Sequence, residues 1–181
     1  MAGDSTVKIL SQKVEFASPH MDILLYEVED IKGRKKPYWV LDRKNNFSVV
    51  IPIFPDNTTV LVGQFRVPIN EYSWEFAMGT VDNATPEATA EQELREETGI
   101  TAKKFEKIGQ FFPASGISTH IGYVFLAKEL TLGQPTPEED EELETKRVSF
   151  DEVGKMIRNQ EIKDGPTIIA WQFLQDYQLT F

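Results

Sequence analysis

Three glutamates stand at positions i, i+3 and i+4 in the middle of the chain: Glu93, Glu96 and Glu97. In an α-helix this spacing brings all three carboxylates onto one face. Like-charged pairs at these spacings cost about 0.2–0.5 kcal/mol each, and the end of a helix favours cations. A hard divalent cation such as Mg²⁺ would turn this repulsion into coordination, because it binds carboxylate oxygens and keeps waters for a substrate phosphate. The alternative is an ordinary solvated acidic helix face.

The residues around these acids predict the helix that carries them. Thr85 can cap its first turn, and Pro86 suits the first helical position. Gly99 suits the left-handed position after the last turn. We therefore predict a helix over residues 85–98.

The acidic residues of the chain are concentrated in two stretches. Residues 85–99 carry a net charge of −4, and residues 138–144 carry −6, which together equal the formal net charge of −10. This balance argues against nucleic acid or an anionic membrane as the main partner, because both require concentrated positive charge. The absence of Cys excludes disulfides and thiolate metal sites.

Length and composition favour one folded domain. A chain of 181 residues with 40% hydrophobic residues can build a single core. The N-terminal sequence lacks the pattern of a signal peptide, and no apolar run reaches the roughly 18 residues of a membrane span. We therefore expect a cytoplasmic protein without a membrane segment.

Short β-branched and aromatic runs predict strands in the first half of the chain, arranged as an antiparallel meander. These runs are VKILSQKVEF, DILLYEV, PYWVLDR, NFSVVIPIF and TTVLVGQFRV. The second half predicts the strands KFEKIGQFFP, GYVFLAKEL and KRVSF, the helix DEVGKMIRNQ, and a final helix that Asp164 caps. Strands followed by interleaved helices indicate an α+β fold.

The stretch WEFAMGTVDNATPEATAEQELREETGI resembles the Nudix box, whose pattern is G-x5-E-x7-R-E-U-x-E-E-x-G-U with U aliphatic. Gly79 corresponds to the opening glycine, and residues 93–100 match E-U-x-E-E-x-G-U without a gap. Two departures stand out. Gln92 replaces the arginine of the pattern, and the segment between Gly79 and Gln92 is one residue short and lacks the early glutamate.

Further segments are similar to the ADP-ribose and nucleotide-sugar pyrophosphatase branch of that family: VLVGQFR, FFPASGIS, YVFLAKEL and IKDGPTIIAWQFL. The resemblance implies a Nudix-type α/β/α sandwich of mixed and antiparallel sheet. It also implies an N-terminal antiparallel β-region over residues 1–48, which forms a homodimer, and a Nudix catalytic domain over residues 49–181.

The resemblance implies a Mg²⁺ site for which Mn²⁺ is a possible substitute. Glu93 and Glu97 correspond to direct ligands of the ion. Glu96 corresponds to a ligand of a second ion or to a residue that positions its water. The backbone carbonyl of Met78 would complete the set.

A base for the attacking water is expected in the second acidic stretch, since the branch places a glutamate on a loop after the strand that follows the box. Glu142 is the first choice, and Glu144 and Glu141 are the alternatives. The remaining possibility is a solvated loop without a catalytic member.

Four residues outside the box are candidates for contact with the substrate. Arg66 could bind the diphosphate or the sugar by a forked contact, or be an ordinary residue at a strand end. Trp74 could flank a base or sugar, or belong to the core. Glu75 could contact the ligand or form a salt bridge to Arg66. His120 could be a general acid, or simply a histidine at the start of a strand.

The sequence thus predicts a Mg²⁺-dependent hydrolase that splits a nucleoside diphosphate sugar, ADP-ribose being the leading example, into a nucleoside monophosphate and a sugar phosphate. One alternative is a catalytically impaired binding or regulatory module of the same fold. Another is an acidic interaction domain in which the match to the box is accidental.

Overall fold

The computed structural model describes residues 7–137 and 142–178. Within these residues the chain forms ten strands and three α-helices. In chain order they are β1 (Lys8–Ala17), β2 (Asp22–Glu29), β3 (Lys35–Asp42), β4 (Phe47–Pro52), β5 (Thr58–Arg66), β6 (Glu71–Glu75), β7 (Ala77–Thr80), α1 (Pro86–Thr98), β8 (Ile100–Phe111), β9 (Gly122–Leu132), β10 (Glu144–Ser149), α2 (Phe150–Arg158) and α3 (Gly165–Gln178).

The described chain divides into two compact units. The first comprises the residues up to Asn45 together with Phe112–His120, and the second comprises Asn46–Phe111 and the residues from Ile121. Strands β1, β2 and β3 form the antiparallel sheet of the first unit. The domain boundary between residues 48 and 49 stays a prediction.

A four-stranded mixed sheet of order β7-β4-β9-β8 forms the centre of the second unit. β4 runs antiparallel to β7 and parallel to β9. The predicted single meander is therefore wrong, because β4 and β5 follow each other in the chain but belong to different sheets. Every residue of β4 is buried, as is typical of a strand with a parallel neighbour and both faces covered.

The two faces of the mixed sheet carry separate apolar clusters. Val49 and Val124 belong to the cluster that contains residues of α2 and α3, whereas Val50 and Phe125 pack with Leu94 of α1. Successive residues of a strand point to opposite faces, so one helix covers one face and two helices cover the other. This arrangement confirms the predicted α+β class and the α/β/α sandwich.

A second sheet in this unit has the order β10-β5-β6 and is antiparallel throughout. β6 is followed by Phe76 and then by β7, so the chain passes directly from this sheet into the mixed sheet. The Phe76 N–H donates a hydrogen bond of 3.1 Å to Oγ1 of the fully buried Thr167 in α3. This hydrogen bond joins the segment between β6 and β7 to the first turn of α3.

Among the described residues, no helix combines the length and the apolar character needed to cross a membrane.

Candidate active site

Helix α1 begins and ends as the sequence predicts. The Thr85 hydroxyl caps the helix by accepting the N–H of Ala88 at 3.1 Å. Gly99 adopts a left-handed conformation with φ of 72°. Ala90 and Leu94 of α1 are fully buried against the sheet. Because this face of the helix must stay buried, the rotation of α1 about its axis is fixed. The three glutamates therefore keep a fixed orientation relative to β7, which packs beside α1.

Glu93 lies directly against Gly79 of β7. A Cβ atom on Gly79 would stand 1.9 Å from Oε1 of Glu93 and 2.1 Å from its carboxyl carbon. Any side chain at position 79 would therefore have to displace the Glu93 carboxylate. This close approach is the physical reason for a glycine at the start of the box.

Glu97 is buried, with 4% of its surface exposed. Its Oε2 accepts a hydrogen bond of 3.2 Å from the Met78 N–H. A buried carboxylate is costly unless its charge is compensated, and this backbone donor compensates part of it. The structure thus brings Met78 and Glu97 together, although the contact it shows involves the N–H of Met78 and not its carbonyl.

Glu96 is held by two neighbouring side chains. Gln92 donates from Nε2 to Oε2 of Glu96 at 3.1 Å, and Arg95 donates from Nη2 to Oε1 at 3.3 Å. Gln92, which replaces the arginine of the box, therefore supports Glu96 through a neutral donor. Arg95 supplies a charged donor on the other oxygen, in an exposed ion pair that contributes little to stability.

A polar cavity of about 500 Å³ opens between β7 and α1. Glu93 and Glu96 line it, together with Met78, Gly79 and Asp82. Asp82 is not among the site residues predicted from the sequence. It lies in the loop between β7 and α1, where the box is one residue short, and only its place in the fold adds its carboxylate to this cavity.

The donors of this cavity are carboxylate oxygens, the ligands that Mg²⁺ and Mn²⁺ prefer. Within residues 7–137 and 142–178, however, no three acidic or histidine side chains converge closely enough to hold an ion as a group. Mg²⁺ commonly binds through one or two carboxylates and retains several waters, so the donor set of Glu93 and Glu96 fits a hydrated divalent ion. The role of each glutamate as a ligand stays a prediction.

Arg66 and Glu75 form a forked ion pair. Nε of Arg66 lies 2.9 Å from Oε1 of Glu75, and Nη2 lies 2.5 Å from Oε2. Glu75 is 2% exposed, whereas the Arg66 side chain is 39% exposed. The hydrogen bonds that Arg66 donates to Glu75 raise the pKa of Arg66, and the negative charges of Asp164 and Glu97 raise it further. Arg66 therefore lies within the electrostatic field of the box.

Trp74 lies on the other face of β6. Ser73 and Glu75 line a cavity with Arg66, and Trp74, which stands between them in the strand, points away from it. Its ring packs against the core, with the ring of Tyr72 edge-on at 5.6 Å. The structure thus brings Arg66 and Glu75 together and separates Trp74 from them.

Thr136 and Leu143, on either side of positions 138–141, contact α1 or the apolar cluster beneath it. The Thr136 N–H donates to the Glu96 carbonyl at 2.8 Å. Leu143 packs against the apolar cluster beneath α1, and Glu142 precedes it as an exposed residue. Glu144 begins β10, opposite Gly63 of β5. The alternative base at position 141 lies outside the described residues.

His120 belongs to the first compact unit and is partly buried. Burial lowers its pKa, and the positive charge of Arg43 lowers it further. The neutral imidazole is therefore favoured, which makes His120 a poorer general acid near neutral pH.

The chain is similar to several known proteins. The family model of the NUDIX domain matches residues 44–172. The ADP-ribose pyrophosphatase of Bacillus subtilis is 31% identical over 171 residues, which cover 93% of this chain and 92% of that protein. The GDP-mannose pyrophosphatase of Yersinia pestis is 32% identical over 145 residues, covering 75% of this chain and 73% of that protein.

A solved structure with the same fold is that of an ADP compounds hydrolase. It superposes with a TM-score of 0.85 and covers 95% of this chain and 94% of its own, at 17% sequence identity. At this identity the likeness shows the fold alone.

Proposed function

Because the chain belongs to the NUDIX domain family, we propose that it hydrolyses the diphosphate bond of a nucleoside diphosphate sugar. The products are a nucleoside monophosphate and a sugar phosphate. ADP-ribose is the first substrate to test, since a relative aligned over nearly the whole chain is an ADP-ribose pyrophosphatase. GDP-mannose is the second, on the same reasoning.

One observation supports this proposal above all: two carboxylates of helix α1 are held against strand β7. Glu93 occupies the space that the missing side chain of Gly79 leaves, and Glu97 is hydrogen-bonded to the N–H of Met78. Their positions follow from backbone contacts and a capped helix, so they need not reorganise when substrate arrives. Pre-organised carboxylates of this kind can hold a divalent cation without rearrangement, and such a cation would offset the negative charge of the diphosphate.

Divalent metal ions suit this site, and we propose Mg²⁺ as the natural one, with Mn²⁺ as a substitute. Glu93 and Glu97 would hold it directly, and Glu96 would bind a second ion or one of its waters, with the Met78 carbonyl as a further oxygen. When bound, such an ion neutralises charge on the diphosphate oxygens and lowers the pKa of the attacking water.

We assign the general base to Glu142, with Glu144 and Glu141 as alternatives. Its carboxylate accepts a proton from the attacking water as the new P–O bond forms and the bridging P–O bond breaks. Arg66 binds a phosphate oxygen of the same substrate. Since Glu75 already orients the guanidinium, the substrate does not have to order that side chain.

A second candidate function is a nucleotide-sugar binding or regulatory module without turnover. Two observations favour it. The described acids do not converge as a metal-binding group, and Gln92 supplies a neutral donor where the box pattern has arginine.

The test is release of AMP and ribose 5-phosphate from ADP-ribose as a function of Mg²⁺, in the wild type and in Glu97→Gln. Glutamine keeps an oxygen that accepts the Met78 N–H, so the variant should fold. Its loss of charge should lower kcat by at least about 100-fold. The midpoint of thermal unfolding, measured with and without Mg²⁺, reports ion binding independently of turnover.

The matched control is Glu91→Gln, which removes a charge from the exposed face of the same helix. It should retain wild-type turnover and the wild-type response to Mg²⁺. Binding of ADP-ribose without any phosphate release in saturating Mg²⁺ would establish the second candidate instead.

We further propose that residues 1–48 mediate a homodimer. All ten residues of β1 are exposed, and Ile9, Val14 and Phe16 among them are apolar. β1 is also an edge strand of its sheet, with one row of backbone groups that β2 does not pair. An exposed apolar edge strand of this length would be covered by a second copy of the chain.

A further inference from the structure

A second cavity of about 340 Å³ lies at the beginning of α3. Arg66, Ser73, Glu75 and Asp164 supply its polar groups, and Ile69 contributes to an apolar wall. Lys163 also borders the cavity, but its ammonium group is paired with Glu71. The cavity therefore combines a cation, hydroxyl and carboxylate oxygens, and an apolar surface, which is a combination suited to a sugar attached to a phosphate.

Arg66 presents unused donors to this cavity. A guanidinium carries five N–H groups, and Glu75 accepts two of them. Among the described residues, the other three have no hydrogen-bond acceptor, and the side chain is partly exposed. Arg66 can therefore bind an anionic oxygen without giving up its ion pair.

Asp164 faces the same cavity and retains acceptor capacity. It accepts the Thr167 N–H at 2.8 Å and so caps α3, and it also interacts with the Thr167 side chain. A carboxylate has about four acceptor positions, so these two contacts leave capacity for a further donor. Burial and the negative charge of Glu75 both raise the pKa of Asp164. A hydroxyl donor from a ligand would compensate this charge.

The cavity lies close to the box along the strand path. Glu75 and Met78 are three residues apart in extended chain, a distance of about 10 Å. Glu97 accepts the Met78 N–H at 3.2 Å, so its carboxylate lies at the far end of this short span from Glu75. One substrate can therefore reach from the cavity to the glutamates of α1.

We propose that Asp164 is a specificity residue, which accepts a hydrogen bond from a hydroxyl of the second sugar of the substrate while Arg66 binds the adjacent phosphate. The sugar in question is the one on the far side of the diphosphate from the nucleoside. This inference rests on the proposed function, and it assigns a substrate contact to a residue that also caps α3.

The test compares Asp164→Asn with the wild type on two substrates. One is ADP-ribose, and the other is the β-methyl ester of ADP, which keeps the diphosphate diester but lacks the second sugar. Asparagine retains an oxygen that accepts the Thr167 N–H, so the helix cap survives. The other oxygen becomes an NH₂ group, which cannot accept a hydroxyl proton.

We expect Asp164→Asn to lower kcat/KM for ADP-ribose about tenfold and for the methyl ester less than about twofold. The midpoint of thermal unfolding should not fall. Asp151→Asn, an exposed substitution in the first turn of α2, is the matched control and should leave both substrates unaffected.

An equal loss on both substrates would show a general electrostatic effect and overturn the proposal, as would no loss on either. Calorimetric binding of both compounds without divalent ion provides a second measurement. If the wild type cleaves neither compound, the proposed function fails. The affinity of Asp164→Asn for ADP-ribose should still be about tenfold weaker, and unchanged affinity would refute the role of Asp164.

Discussion

Replacement of Gly79 by alanine is the sharpest perturbation of the site that the fold allows. The new Cβ would stand 1.9 Å from Oε1 of Glu93, whereas ordinary contacts begin near 3.4 Å. The carboxylate must therefore move by about 1.5 Å. Displacements of about 1 Å in a catalytic group cost on the order of 100-fold in rate, so we expect kcat to fall by at least that factor.

The stability of Gly79→Ala should change far less than its activity. Gly79 does not have a positive φ, so alanine can adopt the same backbone conformation. The clash is with the end of a flexible side chain, which can rotate into the polar cavity. We expect a loss of about 1 kcal/mol, which lowers the midpoint of thermal unfolding by about 2–4 °C in a protein of this size.

The assay is Mg²⁺-dependent release of AMP from ADP-ribose, together with the Mg²⁺ concentration that gives half-maximal rate. Gly116→Ala is the matched control, because a Cβ at Gly116 would meet no atom within 4 Å. It should retain wild-type kcat and stability. If Gly79→Ala keeps wild-type turnover and the wild-type response to Mg²⁺, the close contact of Glu93 with Gly79 does not determine activity.

Two further predictions concern assembly and pH. Val14→Glu places a charge on the exposed edge strand β1 and should prevent dimer formation. Light scattering after size exclusion should then show a dimer for the wild type and a monomer for the variant. A monomeric wild type would contradict the proposed homodimer. The pKa of Asp164 is raised in the folded state, so the folded state binds this proton more tightly than the unfolded chain does. The contribution of Asp164 to stability is therefore lost as pH rises from about 4 through its folded pKa, and the free energy of unfolding falls over that range. Urea unfolding of Asp164→Asn should therefore show a smaller decrease in stability over that range, and an unchanged pH dependence would contradict this assignment.

Local signals predicted the elements of the site well. The cap at Thr85 and the left-handed turn at Gly99 fix α1 to within a residue, because both depend on atoms only a few positions away. The i, i+3, i+4 spacing then places the three glutamates on one face. These features depend on helix geometry alone, so the sequence could indicate them.

Strand pairing could not be predicted in the same way. β4 pairs with β9, more than seventy residues further along the chain, in a parallel ladder that no turn residue indicates. The antiparallel meander was the simplest arrangement of five short strands, and it was wrong for β4 and β5. Pairing depends on which apolar faces are buried together, and that is a property of the whole core.

The amino-acid sequence by itself determined that a capped helix would carry three clustered glutamates, because the periodicity and the caps are set within one segment of chain. Only the tertiary structure decided what those acids contact. Gly79 and Met78 of β7 contact Glu93 and Glu97, and Asp82 lines the cavity that Glu93 and Glu96 also line. Such contacts arise when separate elements pack against each other, and the spacing of residues within one element does not encode them.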